Sequence, residues 1–194
     1  MGVFMEKNRF ILFDRDGVIN IEKSYLYKIE DFEYESGVIE GLEKLKKLGY
    51  RFLIITNQAG IARGYYTEED YLKLEKFITE DLKNKGIKIE KTYYCPHHPE
   101  GKENYGIECD CRKPNTGNFL KAIEEFQIDV KKSFMIGDRI TDLIPAEKLG
   151  FKTVLVKTGY GMKNISKLAD NGLKSLVVGS ISEFGDFLKE NGAM

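Results

Sequence analysis

Four short apolar runs, at residues 9–13, 51–55, 133–136 and 152–156, are separated by longer stretches with helical periodicity. That alternation constrains the chain more than any other feature. A continuous apolar run of four or five residues has no polar face to offer water, so it must be covered on both sides. Strands of that kind, alternating with helices, predict an α/β protein with a central parallel sheet flanked by helices. Val38, Leu42, Leu45 and Leu48 follow helical spacing, and Gly49 stops that helix. Thr67-Glu68-Glu69-Asp70 resembles a capping box ahead of a long helix through Tyr71, Leu74, Phe77, Ile78 and Leu82. A strand over 87–94, a helix over 119–126 and a short helix over 144–149 with Pro145 in its first turn are also expected. A strand at 176–178 and a helix at 181–188 close the chain. The 194 residues suit one domain spanning 1–194.

The first three runs end in polar groups. Asp14 and Asp16 follow the first, Thr56, Asn57 and Gln58 the second, and Asp138 the third. Ligands of open α/β sheets bind outside the carboxyl ends of the strands, so these side chains are expected to converge. Asp14 and Asp16 lie two apart and face one spot, whereas Arg15 points off it. Three carboxylates at one place, Asp14, Asp16 and Asp138, call for a hard cation that keeps some of its waters, Mg²⁺. A carboxylate attacking a phosphate faces repulsion of about 4 kcal/mol per charge pair at 4 Å and an effective dielectric near 20. The cation and the ammonium of Lys113 reverse that sign, and Thr56 with backbone N–H groups can complete the phosphoryl cradle.

All three cysteines and both histidines fall between Cys95 and Cys111, in Cys95-Pro96-His97-His98-Pro99 and Cys109-Asp110-Cys111. Cys95, His97, Cys109 and Cys111 form the Cys₃His set that suits tetrahedral Zn²⁺. Four protein ligands leave no position open to water, so this metal is structural, and the clamp would hold the next residues, Arg112 and Lys113. Both histidines being in that loop, a Ser-His-Asp triad has no free imidazole. Neither a Walker loop nor a Gly-x-Ser-x-Gly elbow occurs. What remains is a carboxylate nucleophile with a metal, transferring a phosphoryl group through an aspartyl phosphate.

Composition adds exclusions. A net charge of −1 with 31% charged residues gives no overall pull toward nucleic acid or anionic lipid. No apolar run is long enough to span a bilayer, and residues 1–10 read as too short and polar for a signal peptide. Clustered thiols then favour a reducing, cytoplasmic setting. No nucleic-acid or membrane partner is expected, and the expected state is a monomer.

Phe13-Asp14-Arg15-Asp16-Gly17-Val18-Ile19-Asn20, Thr56-Asn57-Gln58, Arg112-Lys113-Pro114 and Gly137-Asp138-x-x-x-Asp142 resemble the four motifs of the haloacid-dehalogenase-like (HAD) phosphatases. The metal loop, with 57–66 and 158–161, is similar more narrowly to the heptose bisphosphate phosphatase branch, over about residues 9–161. The resemblance implies a Rossmann-like fold, Asp14 as nucleophile and Asp16 as the acid that protonates the leaving alkoxide and then activates water. Nearby negative charge is expected to raise the Asp16 pKa and keep it protonated. The resemblance places Mg²⁺ on Asp14, the main-chain carbonyl of Asp16 and Asp138, with Thr56 and Lys113 gripping the phosphoryl group. It implies that Arg112 reads a second anionic part of the substrate, with Glu22, Lys23, Ser24, Tyr25, Asn57, Gln58 and Arg139 nearby. The implied reaction is removal of the 7-phosphate from a heptose 1,7-bisphosphate, and the implied partner is a small phosphorylated sugar or amino alcohol. The alternatives are a histidinol-phosphate phosphatase of the same branch and a non-hydrolytic, receiver-like module. About 40 residues separate Asp16 from Thr56 and fewer than about 60 separate Thr56 from Lys113, too few for a large cap domain.

Overall fold

In the computed structural model, which describes residues 8–192, the apolar runs assemble into one six-stranded sheet with every neighbouring pair parallel. Strands β1 (Phe10–Phe13), β2 (Arg51–Asn57), β3 (Ile89–Cys95), β4 (Phe134–Gly137), β5 (Lys152–Val156) and β6 (Leu176–Val178) are ordered β3-β2-β1-β4-β5-β6. The chain therefore starts in the middle, builds outward to β3, returns beside β1 and builds outward the other way. The point where it reverses lies between β1 and β4, and a crevice opens there at the carboxyl ends of the strands. The backbone N–H of Asp14 donates to the carbonyl of Ile136 at 3.0 Å, tying the two strand ends together.

Alternation along the strands explains why both faces need cover. Ile11, Phe13, Phe52, Ile54, Phe134 and Ile136 face a core made with α1 (Val38–Lys47), α3 (Glu68–Asn84) and α7 (Ile181–Asn191). Phe10, Leu12, Leu53, Ile55 and Met135 face the other core, made with α4 (Gly117–Phe126), α5 (Ile140–Lys148) and α6 (Gly161–Asp170). The capping box ahead of α3 is present, with Asp70 N–H donating to Thr67 Oγ1 at 3.1 Å and Thr67 N–H donating to Asp70 Oδ2 at 3.0 Å.

The structure corrects several expected boundaries. β2 runs on to Asn57, so Thr56 lies within the strand, and β3 begins at Ile89. The helix expected over 144–149 begins at Ile140, which puts Pro145 in its interior rather than its first turn. Proline there removes one N–H, and in a nine-residue helix the Asp142 side chain compensates at the start by accepting from Arg139 N–H at 3.0 Å. Two helices were not expected: α2 (Ala59–Arg63), too short to show a period, and α6, whose exposed face carries Met162 beside its polar residues. No helix among the described residues is long and apolar enough to cross a membrane. Residues 1–7 of the segment read as unlike a signal peptide lie outside the described residues.

Gly41 lets α1 lie directly on α7. A Cβ there would meet the backbone of Ile181 and Ser182 at 2.6 Å. Helix propensity alone favours alanine over glycine by up to about 1 kcal/mol, but forcing packed backbones apart costs about 1–3 kcal/mol. Gly41→Ala should therefore lower the urea midpoint, the opposite of what propensity predicts.

Candidate active site and metal centre

At the reversal point the fold gathers three buried carboxylates: Asp14 from the end of β1, Asp138 just after β4, and Asp142 in the first turn of α5. Their oxygens lie within 4.8 Å of one another. Lys113 Nζ, itself buried, donates to Asp14 Oδ1 at 2.8 Å and to the Ile55 carbonyl at 2.7 Å, and pairs with Asp142 Oδ1 at 2.7 Å. Burial lowers the proton affinity of that ammonium, but the charges of Asp14 and Asp142 outweigh it and hold Lys113 protonated. One ammonium does not balance three carboxylates. Burial pushes Asp14 up to about 6 against the pull of Lys113, with Asp142 adding to the rise. Burial, then the charges of Asp142 and Asp14, push Asp138 up to about 8.

Asp142 is satisfied on both oxygens, by Lys113 and by Arg139 N–H, so it anchors the lysine. Asp138 is different. Its Oδ2 accepts from Tyr160 N–H at 2.7 Å, whereas its buried Oδ1 has no hydrogen-bond partner. Gly17 and Gly159 make room for it, since a Cβ on either would come within 2.4 Å of Asp138 Oδ2. An orphaned buried carboxylate oxygen beside Asp14, with excess negative charge and only oxygen donors, fits a hard divalent cation. The Asp16 carboxylate is not among the three, which corrects the expectation of three converging carboxylates at Asp14, Asp16 and Asp138; Asp142 takes its place. That side chain is taken up by Arg15 Nη2 at 2.9 Å to each oxygen, by Asn20 Nδ2 at 3.0 Å and by Gln58 Nε2 at 3.1 Å. The expectation that Asp16 is raised also fails. Burial does favour its neutral form, but the Arg15 charge and these hydrogen bonds win and hold the carboxyl below its ordinary value.

The second cluster sits where β3 ends. Cys95 Sγ lies 3.5 Å from Cys109 Sγ, Cys109 Sγ lies 3.2 Å from Cys111 Sγ, and His97 Nδ1 lies 3.4 Å from Cys111 Sγ and 3.9 Å from Cys95 Sγ. Ligands at about 2.0–2.3 Å from one tetrahedral ion are separated by roughly 3.5–3.8 Å, so these four could hold one. The loop leads directly into Arg112, whose Nη1 donates to the His97 carbonyl at 3.3 Å. Lys113 is held by its backbone as well: its N–H donates to Asn57 Oδ1 and its carbonyl accepts from Asn57 Nδ2, both at 3.0 Å.

A cavity of about 350 Å³ opens over the carboxylates. Asp14, Asp16, Glu22, Ser24, Tyr25, Asn57, Gln58, Arg112, Lys113 and Arg139, all singled out from sequence, line it. Lys23 does not; its ammonium donates to the Asp31 carbonyl at 2.7 Å and pairs with Glu33, both away from the cavity. Thr56 is buried beneath the lining and accepts from Gln58 Nε2 at 2.8 Å. Asn57 and Gln58 are committed as well: Asn57 clamps Lys113, and Gln58 bonds Asp16, Thr56 and Tyr66 OH. They position other residues rather than offering free amides to a sugar. Arg139 Cζ lies 3.8 Å above the Tyr160 ring, with Nη2 3.4 Å from Glu22 Oε2. Sequence reasoning gave no role to Asp142, although it closes the fourth motif four residues after Asp138. It likewise gave none to Arg63 and His98, which meet at 3.2 Å on the cavity wall.

Comparison with known proteins agrees with this geometry. The HAD-hydrolase-like family profile matches residues 110–183. The chain is 42% identical over 180 residues to D-glycero-beta-D-manno-heptose-1,7-bisphosphate 7-phosphatase of Pasteurella multocida, covering 92% of this chain and 96% of that protein. It is 47% identical over 156 residues to a D-glycero-alpha-D-manno-heptose-1,7-bisphosphate 7-phosphatase of Photorhabdus laumondii, covering 79% and 85%. Its fold is similar, with TM-score 0.82 and 26% identity over 95% of this chain and 99% of the other, to the crystal structure of D,D-heptose 1,7-bisphosphate phosphatase from B. bronchiseptica complexed with magnesium and phosphate.

Asp14 and Asp138 are easier to protonate in the folded chain than at their ordinary value of 3.8. Ionising them therefore costs folding energy progressively as pH rises from about 4 to about 8. A divalent cation competes with those protons. Added Mg²⁺ should raise the thermal midpoint of metal-stripped protein more at pH 8.5 than at pH 5.5, measured by calorimetry. A larger rise at the acidic pH would contradict the assignment.

Proposed function

This chain belongs to the heptose-1,7-bisphosphate 7-phosphatase family of HAD-like phosphatases, and from that premise we propose that it hydrolyses the 7-phosphate of D-glycero-D-manno-heptose 1,7-bisphosphate and leaves the 1-phosphate in place. The observation that carries the reading is the pair of carboxylates in one cavity, Asp14 held at 2.8 Å by a buried ammonium and Asp16 held apart from the cluster. Asp14 Oδ attacks phosphorus, the bond from phosphorus to O7 breaks, and a proton brought in with the substrate phosphate, carried by Asp16 against the pull of Arg15, passes to the departing alkoxide. Asp16, now a carboxylate gripped by its N–H donors, takes a proton from water as that water displaces Asp14 from phosphorus. Lys113 and Thr56 receive the phosphoryl oxygens. Asp14, the Asp16 carbonyl and Asp138 would hold Mg²⁺, whose charge offsets that of the phosphoryl group. Cys95, His97, Cys109 and Cys111 would hold Zn²⁺ as a staple for Arg112 and Lys113.

Arg112 and Arg139 suit the distal phosphate, because a planar guanidinium binds such a group through two N–H donors. Glu22, Ser24 and Tyr25 stand between as partners for sugar hydroxyls. The family relatives favour a heptose bisphosphate over histidinol phosphate and over a non-hydrolytic receiver. A sugar phosphate substrate and a cysteine cluster both suit a cytoplasmic setting.

Phosphorus NMR of the reaction should show loss of the C7 ester with the C1 ester intact, and Asp14→Asn should abolish it. Arg112→Ala should lower kcat/KM for the bisphosphate by roughly 10–100-fold, the range of a lost charged hydrogen bond, and much less for a monophosphate ester. Equal loss on both would refute the distal role.

Elemental analysis should find one zinc per chain. Cys109→Ser should loosen residues 95–113 in hydrogen exchange and lower activity by displacing Lys113, and unchanged exchange and kinetics would remove the staple.

A further inference from the structure

The largest fully buried side chain is a charged one, Arg15, at 0% exposure. Burying a guanidinium is costly unless its charge is matched and its N–H groups are used. Adjacent residues on an extended segment point apart, yet the Arg15 side chain curls back beneath the Asp16 carboxylate. Its Nη2 reaches both Asp16 oxygens at 2.9 Å, its Nε reaches Oδ1 at 3.3 Å, and Nη2 also meets the Leu26 carbonyl and Gln58 Oε1 at 3.3 Å. The guanidinium lies over the Tyr71 ring, 5.5 Å from its centroid, and its buried Nη1 has no hydrogen-bond partner, so the group is held for Asp16 and not for full satisfaction of its own donors. One helical turn along α3 from Tyr71 stands a second buried acid, Glu75, which accepts from Tyr71 OH at 3.5 Å and from Thr92 OH. The mechanism above uses neither Arg15 nor Glu75.

We propose that Arg15 is a positioning residue for proton transfer: seated on Tyr71, its planar fork fixes the Asp16 carboxylate at the cavity wall in the orientation from which it serves the leaving oxygen. The arrangement fits that task better than a packing role. Both Asp16 oxygens are engaged by Arg15 from below, and Asn20 and Gln58 close the sides. Gln58 is itself fixed by Tyr66 OH at 2.8 Å. Lysine could supply the charge but not the fork. The inference rests on Asp16 being the proton carrier, so the experiment separates the two.

An alkoxide leaving from a sugar needs a proton, whereas p-nitrophenolate leaves without one. Rates on heptose bisphosphate and on p-nitrophenyl phosphate are therefore compared in wild type, Arg15→Lys, Asp16→Asn and the double variant, with Mg²⁺ present and folding checked by thermal midpoint. Arg15→Lys should lower kcat on the sugar ester roughly 10–100-fold, a part of the ~10²–10⁴-fold expected for full loss of the acid–base group, with KM little changed. The aryl ester should fall about tenfold less. On the Asp16→Asn background the substitution should add no further selectivity, because the two residues act as one unit. Equal loss on both esters, no loss, or additive losses in the double variant overturns the proposal. An unselective Asp16→Asn overturns the proton-carrier reading, and this inference with it. If Arg15→Lys does not fold, Tyr71→Leu, which removes the ring beneath the guanidinium, decides by the same ratio: a sugar-selective loss supports the positioning role, and a uniform loss or none overturns it.

Discussion

Everything at the catalytic end of this sheet depends on one buried ammonium. Lys113 is almost wholly out of water, and it is shared among the end of β1 through Asp14, the end of β2 through the Ile55 carbonyl, and the first turn of α5 through Asp142. Removing a charge from water costs several kcal/mol, recovered only where geometry and hydrogen bonding are complete. Here the ammonium donates to Asp14 Oδ1 and to the Ile55 carbonyl and pairs with Asp142 Oδ1, all at 2.7–2.8 Å. Any shift of the loop that carries Lys113 would strand carboxylates as well as the ammonium. The loop is accordingly held three ways, by the thiolate cluster behind it, by the double amide clamp of Asn57, and by the ammonium itself.

The parallel sheet, the strand-end carboxylates and the Cys₃His cluster were legible because each rests on local chemistry. A run such as Phe10-Ile11-Leu12-Phe13 has few alternatives to a covered strand, and soft ligands brought together by short spacing have few alternatives to a metal. The misreadings share a cause. Asn57 and Gln58 look like free amides until the partners that consume them, Lys113 and Asp16, arrive from distant segments or from the far side of the loop. Lys23 looks like a site cation until the chain folds back and offers it Glu33. The Asp16 carboxyl was expected to be raised by its acidic neighbours, but the adjacent arginine decides the outcome, and no spacing rule says that its side chain will curl back. Helix α6 was missed for the reverse reason: its burial, at Asn164 and Leu168, is conferred by the sheet rather than signalled by a continuous apolar stripe.

The two clusters divide hard from soft chemistry. Thiolates and an imidazole suit a borderline ion that stays fully coordinated and fixes backbone, while carboxylates suit a hard ion that leaves room for water and phosphate oxygens. Separating them would keep the reacting phosphoryl group clear of the cysteines.

The oxygen cluster does not stabilise itself. Asp138 has a buried Oδ1 without a hydrogen-bond partner, its Oδ2 is crowded by Gly17 and Gly159 so closely that no Cβ could be added, and its proton affinity is raised by burial and by Asp142 and Asp14. An interior built for stability alone would replace such a residue or supply a donor. Instead both apolar cores and the sheet hold it in place, and its unmet demand for positive charge is what makes the crevice receptive to a cation. That local cost lies at the strand reversal where the topology opens a crevice, so fold, charge and chemistry meet at a single point.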